Sequence, residues 1–364
     1  MRQLSLEQLQ HRFYRLRRLL SRIRLPPIDS FEAYGKTYSL PMRVEHTKAG
    51  RHVPPRSLEY LAGFFDGDGC ARNTWSRSSV RLEIHQSSIN AKVLLFFKNL
   101  LGGGIYVGRS RGTGLFRPTV RWELSGAGAA HAAALLSTVS SCKQPQLKVI
   151  SSWPQCMSAR RQSATNLQLL KKLPPATANC PSWAFLAGFF DAEGCISVRP
   201  SASIVVTLGQ KHDPVLHCIK RFLADRGLDS SLYKARSVSM MVITRTEASR
   251  EILRQLLSAG LRVKRESARI ALRLSSTNFY EVREQLQGLV GNQARYQRLT
   301  RSGTERASQI KRCRQRLEYA QASDKPEIAA WLAYLQHAHE MASARERYVQ
   351  VRADARALLQ HAED

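Results

Sequence analysis

The sequence predicts an α+β protein made of two pseudo-symmetric αββαββα units, each a four-stranded antiparallel β-saddle under helices. Three observations carry that prediction. The segment Leu58-Glu-Tyr-Leu-Ala-Gly-Phe-Phe-Asp-Gly-Asp-Gly-Cys70 returns almost unchanged, 125 residues later, as Trp183-Ala-Phe-Leu-Ala-Gly-Phe-Phe-Asp-Ala-Glu-Gly-Cys195. Each copy is followed by alternating polar and apolar residues, the period of a strand with one dry face. The order of helix-like and strand-like stretches is then the same after both copies, as a duplicated unit requires.

In the first unit the repeated motif reads as a helix ending at Asp68. Val80, Leu82 and Ile84 then alternate with Arg81, Glu83 and His85, which makes a strand. A helix over 90–101 is stopped by Gly102-Gly103-Gly104. Strands over 105–111 and 119–124 flank a turn region containing Gly112, Gly114 and Pro118, and an Ala-rich helix over 127–139 closes the unit. The second unit repeats this order. Its motif helix is followed by strands at 196–199 and 203–208, a helix at 214–225, strands at 232–236 and 238–244, and a helix at 247–257. The resulting division is a basic N-terminal extension (1–54), a first unit (55–150), a linker (151–181), a second unit (182–290) and a helical C-terminal extension (291–364). Pro154, Lys171-Lys172-Leu173-Pro174-Pro175 and Pro181 suit the linker to a tether over the surface. The C-terminal extension reads as two helices broken near Ser323-Asp-Lys-Pro326.

A chain of 364 residues with 43% hydrophobic content can bury a core in each unit. Its formal net charge of +28 calls for a polyanion, and nucleic acid is the natural one. No stretch reaches the 18 or so apolar residues of a membrane span, so no membrane partner is expected. From Thr300 onward 11 Lys and Arg face 9 Asp and Glu, which places the positive excess upstream. Seven cysteines without a C-x-x-C pair argue against a disulfide framework or a zinc ribbon and for a reducing compartment. His337-Ala-His339-Glu is not a zinc-binding H-E-x-x-H. The first 24 residues hold seven Arg and one Glu, with leucines interspersed. They suit either an Arg-rich transit peptide or a basic helix lying on nucleic acid.

The repeated motif carries the chemistry. Gly63 and Gly188 in helix interiors cost about 1 kcal/mol each relative to Ala, so their repeated use points to backbones in close contact. If the two helices pack in parallel, Asp68 and Glu193 converge at their C-terminal ends. Acids are disfavoured there by the helix dipole and by their mutual repulsion. A divalent cation resolves both conflicts, and hard oxygen ligands without His or thiolate suit Mg2+. A single motif copy would ordinarily be a packed helix ended by glycine, with its acid solvated; an acid at the same place in two copies argues for a site. Asp66 and Asp191 read as structural or hydrogen-bonding groups. Cys70 and Cys195, just after each motif glycine, read as small residues at strand starts, since neither segment pairs them with a His.

Leu-Ala-Gly-Phe-Phe-Asp-Gly-Asp-Gly and Leu-Ala-Gly-Phe-Phe-Asp-Ala-Glu-Gly resemble the two motifs of a single-chain LAGLIDADG homing endonuclease, over roughly 55–274. The resemblance implies that Asp68 and Glu193 bind catalytic Mg2+, and that Gln86 and Gln210 lie near the cleavage-site water. It further implies that Lys143 and Lys264 stabilise developing charge. Strand parity, read with that resemblance, aims Arg72, Thr74, Arg81, Glu83, His85, Arg109, Arg111, Arg121, Glu123, Ser197, Arg199, Lys234 and Arg236 at double-stranded DNA. A one-residue register error would flip such a face. The implied activity is that of a monomer cutting a long asymmetric target across the minor groove, leaving 3′ overhangs and promoting intron mobility. The implied home is a chloroplast or mitochondrion. The alternative is a maturase of the same family that binds intron RNA and assists group I splicing, with or without nuclease activity; a degenerate, transcription-factor-like relative is a further rival.

Overall fold

The computed structural model describes residues 4–43, 52–74, 78–175, 181–289 and 292–360. They form two compact units: one of 28–109 and 119–289, the other of 1–27, 110–118 and 290–364.

In chain order the elements begin with α1 (Leu6–Arg22), which belongs to the unit made of the chain ends. The larger unit opens with a hairpin, β1 (Ser30–Ala33) and β2 (Lys36–Ser39). Its first half follows: α2 (Pro55–Asp68), β3 (Gly69–Asn73), β4 (Val80–Ser87), α3 (Lys92–Leu101), β5 (Gly104–Val107), β6 (Thr119–Ser125) and α4 (Gly126–Ser137). Two helices connect the halves, α5 (Gln144–Ser151) and α6 (Met157–Lys172). The second half is α7 (Trp183–Glu193), β7 (Gly194–Arg199), β8 (Ser203–Gln210), α8 (Pro214–Ala224), β9 (Ser231–Ala235), β10 (Val238–Ile243) and α9 (Thr246–Ser258), extended by α10 (Arg265–Leu272) and α11 (Phe279–Leu289). Both sheets are antiparallel and four-stranded, in the orders β3-β4-β6-β5 and β7-β8-β10-β9. This is the predicted αββαββα plan, twice.

Each sheet is dry on one face because its apolar residues recur at period two. Leu82, Ile84, Ile105 and Trp122 turn one way in the first sheet, and Ile204, Val206, Leu208 and Met241 in the second. These faces, with the sides of α2 and α7, form one continuous core across both halves. Both motif helices are apolar on nearly every side, as helices sandwiched between layers must be. A Cβ added at Gly63 would run into the Phe185 carbonyl, and one at Gly188 into the Tyr60 carbonyl. Further along, a Cβ on Gly67 would overlap Ala192. The contacts advance together along both chains, so α2 and α7 are parallel and their acidic ends meet.

Two local outcomes differ from the sequence reading. The 151–181 connector holds the 16-residue helix α6, with Ala164 and Leu167 buried, and not only a tether. Strand β5 ends at Val107, four residues before the expected limit. The closing glycines Gly69 and Gly194 are extended, and a side chain there would strike the Phe65 or Phe190 ring.

The second compact unit joins α1 to α12 (Arg301–Tyr319) and α13 (Lys325–Gln360), with a break between the last two where one was expected. Its small core consists of Phe13, Leu20, Leu115, Tyr296 and Val351. Among the described residues no helix is long and apolar enough to cross a membrane.

Candidate active site

The motif helices end in the two acids. Protein crowds the Asp68 carboxyl on several sides while solvent still reaches it. Burial first, and the Glu193 charge second, push its pKa up to about 6 from the ordinary 3.8. Gln86, at the end of β4, donates its Nε2–H to Asp68 Oδ2 at 2.5 Å. Gln210 ends β8 at the equivalent place, but among the described residues no hydrogen bond joins it to Glu193. The two halves therefore share a plan and differ in how each acid is held.

The lysines do a job the sequence did not disclose. Lys143 Nζ donates to the carbonyl oxygens of Phe65, Gly67 and Gly69 at 2.9, 3.0 and 2.6 Å. These are backbone acceptors at the end of α2, where helices leave carbonyls without partners. Lys264 Nζ donates likewise to Asp191 O, and at 3.4 Å to Ala192 O, at the end of α7. Each ammonium thus offsets the negative end of the helix dipole directly beside an acid. Burial lowers the pKa of both lysines, against the pull of Asp66 on Lys143 and of Asp191 on Lys264.

Asp66 and Asp191 hold the lysines in place. Asp66, 4% exposed, accepts the backbone N–H groups of Ser141, Cys142 and Lys143 at 2.6, 2.9 and 3.0 Å, and the Ser140 hydroxyl at 2.5 Å. Asp191, 3% exposed, accepts those of Arg262, Val263 and Lys264 at 2.6, 3.0 and 2.7 Å. The reading of these two acids as hydrogen-bonding groups thus matches the geometry, which adds what they bond. Asp191's fourth donor comes from the other half: the Tyr60 hydroxyl, at 2.5 Å. The matching residue of the second motif is Phe185, which has no hydroxyl to return the bond. Tyr60 was not singled out from sequence, although a polar atom present in one copy only was the available signal. Burial, then Asp191, raise the Tyr60 pKa and keep it a donor.

Strand register decides which expected DNA contacts share a face. Arg72, Arg81, Glu83, His85, Arg121 and Glu123 lie together on the helix-free face of the first sheet. Glu83, only 5% exposed, pairs with Arg72, and Glu123 takes Arg81 at 3.0 Å and Arg121 at 3.1 Å. Burial raises the Glu83 carboxyl, and Arg72, Arg121 and Arg81 outweigh it to a net lowering. Burial leaves the His85 imidazole below its ordinary pKa despite Glu83. Tyr106 also faces this side, under Arg121; the sequence reading turns it away because it takes the parity of β5 from Arg109 and Arg111. Thr74 lies just past β3, where its hydroxyl donates to the Ser79 carbonyl oxygen at 3.1 Å. Arg109 and Arg111 lie exposed beyond β5.

In the second sheet Ser197 and Arg199 are on the helix-free face, opposite Val205 and Ser203. Lys234 is not. It pairs with Ser239 and shares the side of Leu232 and Met241, which puts Tyr233, Met240 and Val242 on the helix-free face. Arg236 sits in the β9–β10 turn at φ 57°. The first face is thus lined by ion pairs, whereas the second mixes Ser197, Arg199, Ser203 and Thr207 with Val205, Tyr233, Met240 and Val242.

Among the described residues no group of three or more His, Cys, Asp and Glu side chains gathers as a metal site. The donor set at the helix ends is the carboxylate pair alone. That fits a hard cation which keeps several waters and takes its remaining oxygens from a bound phosphate.

Residues 181–258 match the family model of the LAGLIDADG-like domain. No curated protein matches the chain. Among solved structures it is similar to the LAGLIDADG meganuclease I-AabMI bound to uncleaved DNA, at 16% identity over 64% of this chain and 98% of that one, with a TM-score of 0.45. It is also similar to the LAGLIDADG homing endonuclease I-GzeII in complex with its DNA target, at 13% identity over 65% and 99%, TM-score 0.48. A third is I-SmaMI bound to uncleaved DNA in the presence of calcium ions, at 13% identity over 64% and 97%, TM-score 0.46.

Proposed function

We propose that this chain is a LAGLIDADG homing endonuclease that hydrolyses both strands of a long, asymmetric DNA duplex, with one carboxylate for each half. The observation that supports this most is the convergence of Asp68 and Glu193 at the ends of two parallel helices that touch backbone to backbone. Asp68 and Glu193 would hold Mg2+, which when bound supplies water activation and charge neutralisation at a scissile phosphate. The protein's own part is placement. Gln86 fixes the rotamer of Asp68. Lys143 and Lys264 keep positive charge beside the acids, where negative charge develops in phosphodiester hydrolysis. With a carboxyl pKa of about 6, Asp68 is ionised at neutral pH and able to act as a ligand.

Duplex DNA would lie along the helix-free faces of the sheets, where Arg72, Arg81 and Arg121 can exchange Glu83 and Glu123 for phosphates and base edges. Cutting across the minor groove with 3′ overhangs, intron mobility and action as a monomer complete the proposal. The same basic body could serve an RNA maturase, yet a pure binder has no use for two carboxylates brought together against their repulsion. The test is selection of cleaved products from a randomised duplex library with Mg2+. Wild type should yield one long site, and Asp68→Asn or Glu193→Gln should bind it without cutting. A double variant that cuts at the wild-type rate would refute the site.

A further inference from the structure

We propose that the outer face of α1 is a second duplex-DNA contact, separate from the sheets; the choice of DNA rests on the endonuclease reading above. The helix is firmly built. Ser5 and Gln8 form a capping box, and Leu9, Phe13 and Leu20 are buried, the last two in a core shared with Tyr296 and Val351. Beyond its end, backbone bonds from Leu25 to Gly112 and from Gly114 to Ile23 tie the chain to the 110–118 segment.

At about 100° per residue, Leu9, Phe13, Leu16 and Leu20 fall within one narrow arc. The opposite arc presents His11, Arg15, Arg18 and Arg22, with Arg12 at its border beside Leu16, all five exposed. Glu7, the helix's acid, lies in the first turn. Among the described residues none of these four arginines makes an ion pair, whereas Arg72, Arg81 and Arg121 of the first sheet are each bound to Glu83 or Glu123. Like charges three and four residues apart oppose helix formation, so the row works against the fold that displays it. A polyanion turns that repulsion into binding.

The surroundings select the polyanion. Leu9, Phe13 and Leu20 are buried, and the large apolar side chains of α1 that reach solvent, Tyr14 and Leu19, stand on different sides of the helix and make no continuous face to lay into a bilayer. Single strands are held by aromatic rings that stack successive bases, and the arginine arc holds one imidazole, His11, with the Tyr14 ring at its edge, too few for a run of stacked bases. Guanidinium groups spaced about one helical turn, roughly 5.4 Å, suit the phosphates of a duplex whose bases are turned inward.

The test uses the full chain and the variant R12Q/R15Q/R18Q/R22Q, with binding to a mixed-sequence DNA duplex of about 60 base pairs measured by fluorescence anisotropy without Mg2+ from about 50 to 200 mM salt. Each phosphate contact contributes about 0.9 to the slope of log K against log salt, so the slope should fall by about 3–4. The matching Arg→Lys variant should retain it. Arg15→Gln and Arg22→Gln singly should each lose about one unit, which tests the proposal if the fourfold variant fails to fold. An unchanged slope overturns the inference. So does a loss seen only with duplex RNA or only with anionic phosphatidylserine vesicles. A reduced slope in a protein whose wild type cuts no duplex would overturn the endonuclease reading and leave this contact standing.

Discussion

Asp68 lowers the stability of the metal-free protein. Because its folded pKa of about 6 lies above the ordinary 3.8, the folded chain holds the proton more tightly than the unfolded one. Stability is therefore lost as pH rises from about 4 through about 6. Asp68→Asn should raise the Tm of the metal-free protein at pH 7.5 by about 1–3 °C, a range kept small because solvent reaches the group. That gain should vanish below about pH 4, where both states are protonated. Mg2+ should raise the Tm of the wild type and not of the variant, which scanning calorimetry in the presence and absence of the ion will check. Tyr60 gives a second prediction. Its bond to Asp191 is buried and charge-assisted, so Tyr60→Phe should cost about 1.5–3 kcal/mol in urea unfolding. It should also loosen the turn that carries Lys264 and leave Lys143 alone, so nicked plasmid should accumulate with one strand cut preferentially. Equal cutting of both strands at the wild-type rate would show that the bond has no catalytic consequence.

The motif helices convert sequence into a site because nothing but hydrogen fits at their crossing. Gly63→Ala or Gly188→Ala would push a methyl into the opposing backbone carbonyl, which cannot swing away as a side chain could. A loss of at least about 2–3 kcal/mol is expected, read from denaturant midpoints, together with loss of cleavage as the acidic ends separate. These helices and most strands were legible because their apolar residues keep a clear period. Strand β9 was not. Its Leu232 and Tyr233 are adjacent and the strand is largely exposed on both sides, so alternation marks no face and only pairing with β10 puts Lys234 on the helix side. Helix α6 was hidden by the prolines around it, and the end of β5 by Arg109 and Arg111, which keep a period of two at the parity of the buried Ile105 although the pairing with β6 stops at Val107.

At the scale of the whole molecule, one chain supplies both acids. Mixing the Asp68→Asn and Glu193→Gln proteins should therefore restore no double-strand cleavage, and sedimentation should find the mass of a monomer; recovered activity would mean that sites assemble between chains. The sequence by itself determined the duplicated αββαββα plan, the two acids, and the glycines that let them meet, because periodicity and repetition are properties of one dimension. Only the tertiary structure decided what surrounds the acids. The acceptors of Lys143 and Lys264 are backbone carbonyls, and the donors to Asp66 and Asp191 are largely backbone N–H groups; every residue carries these groups, so sequence cannot distinguish them. Folding picks those at helix ends, and so converts two lysines that sequence reads as charges near a phosphate into clamps that make a helix end tolerable for an acid.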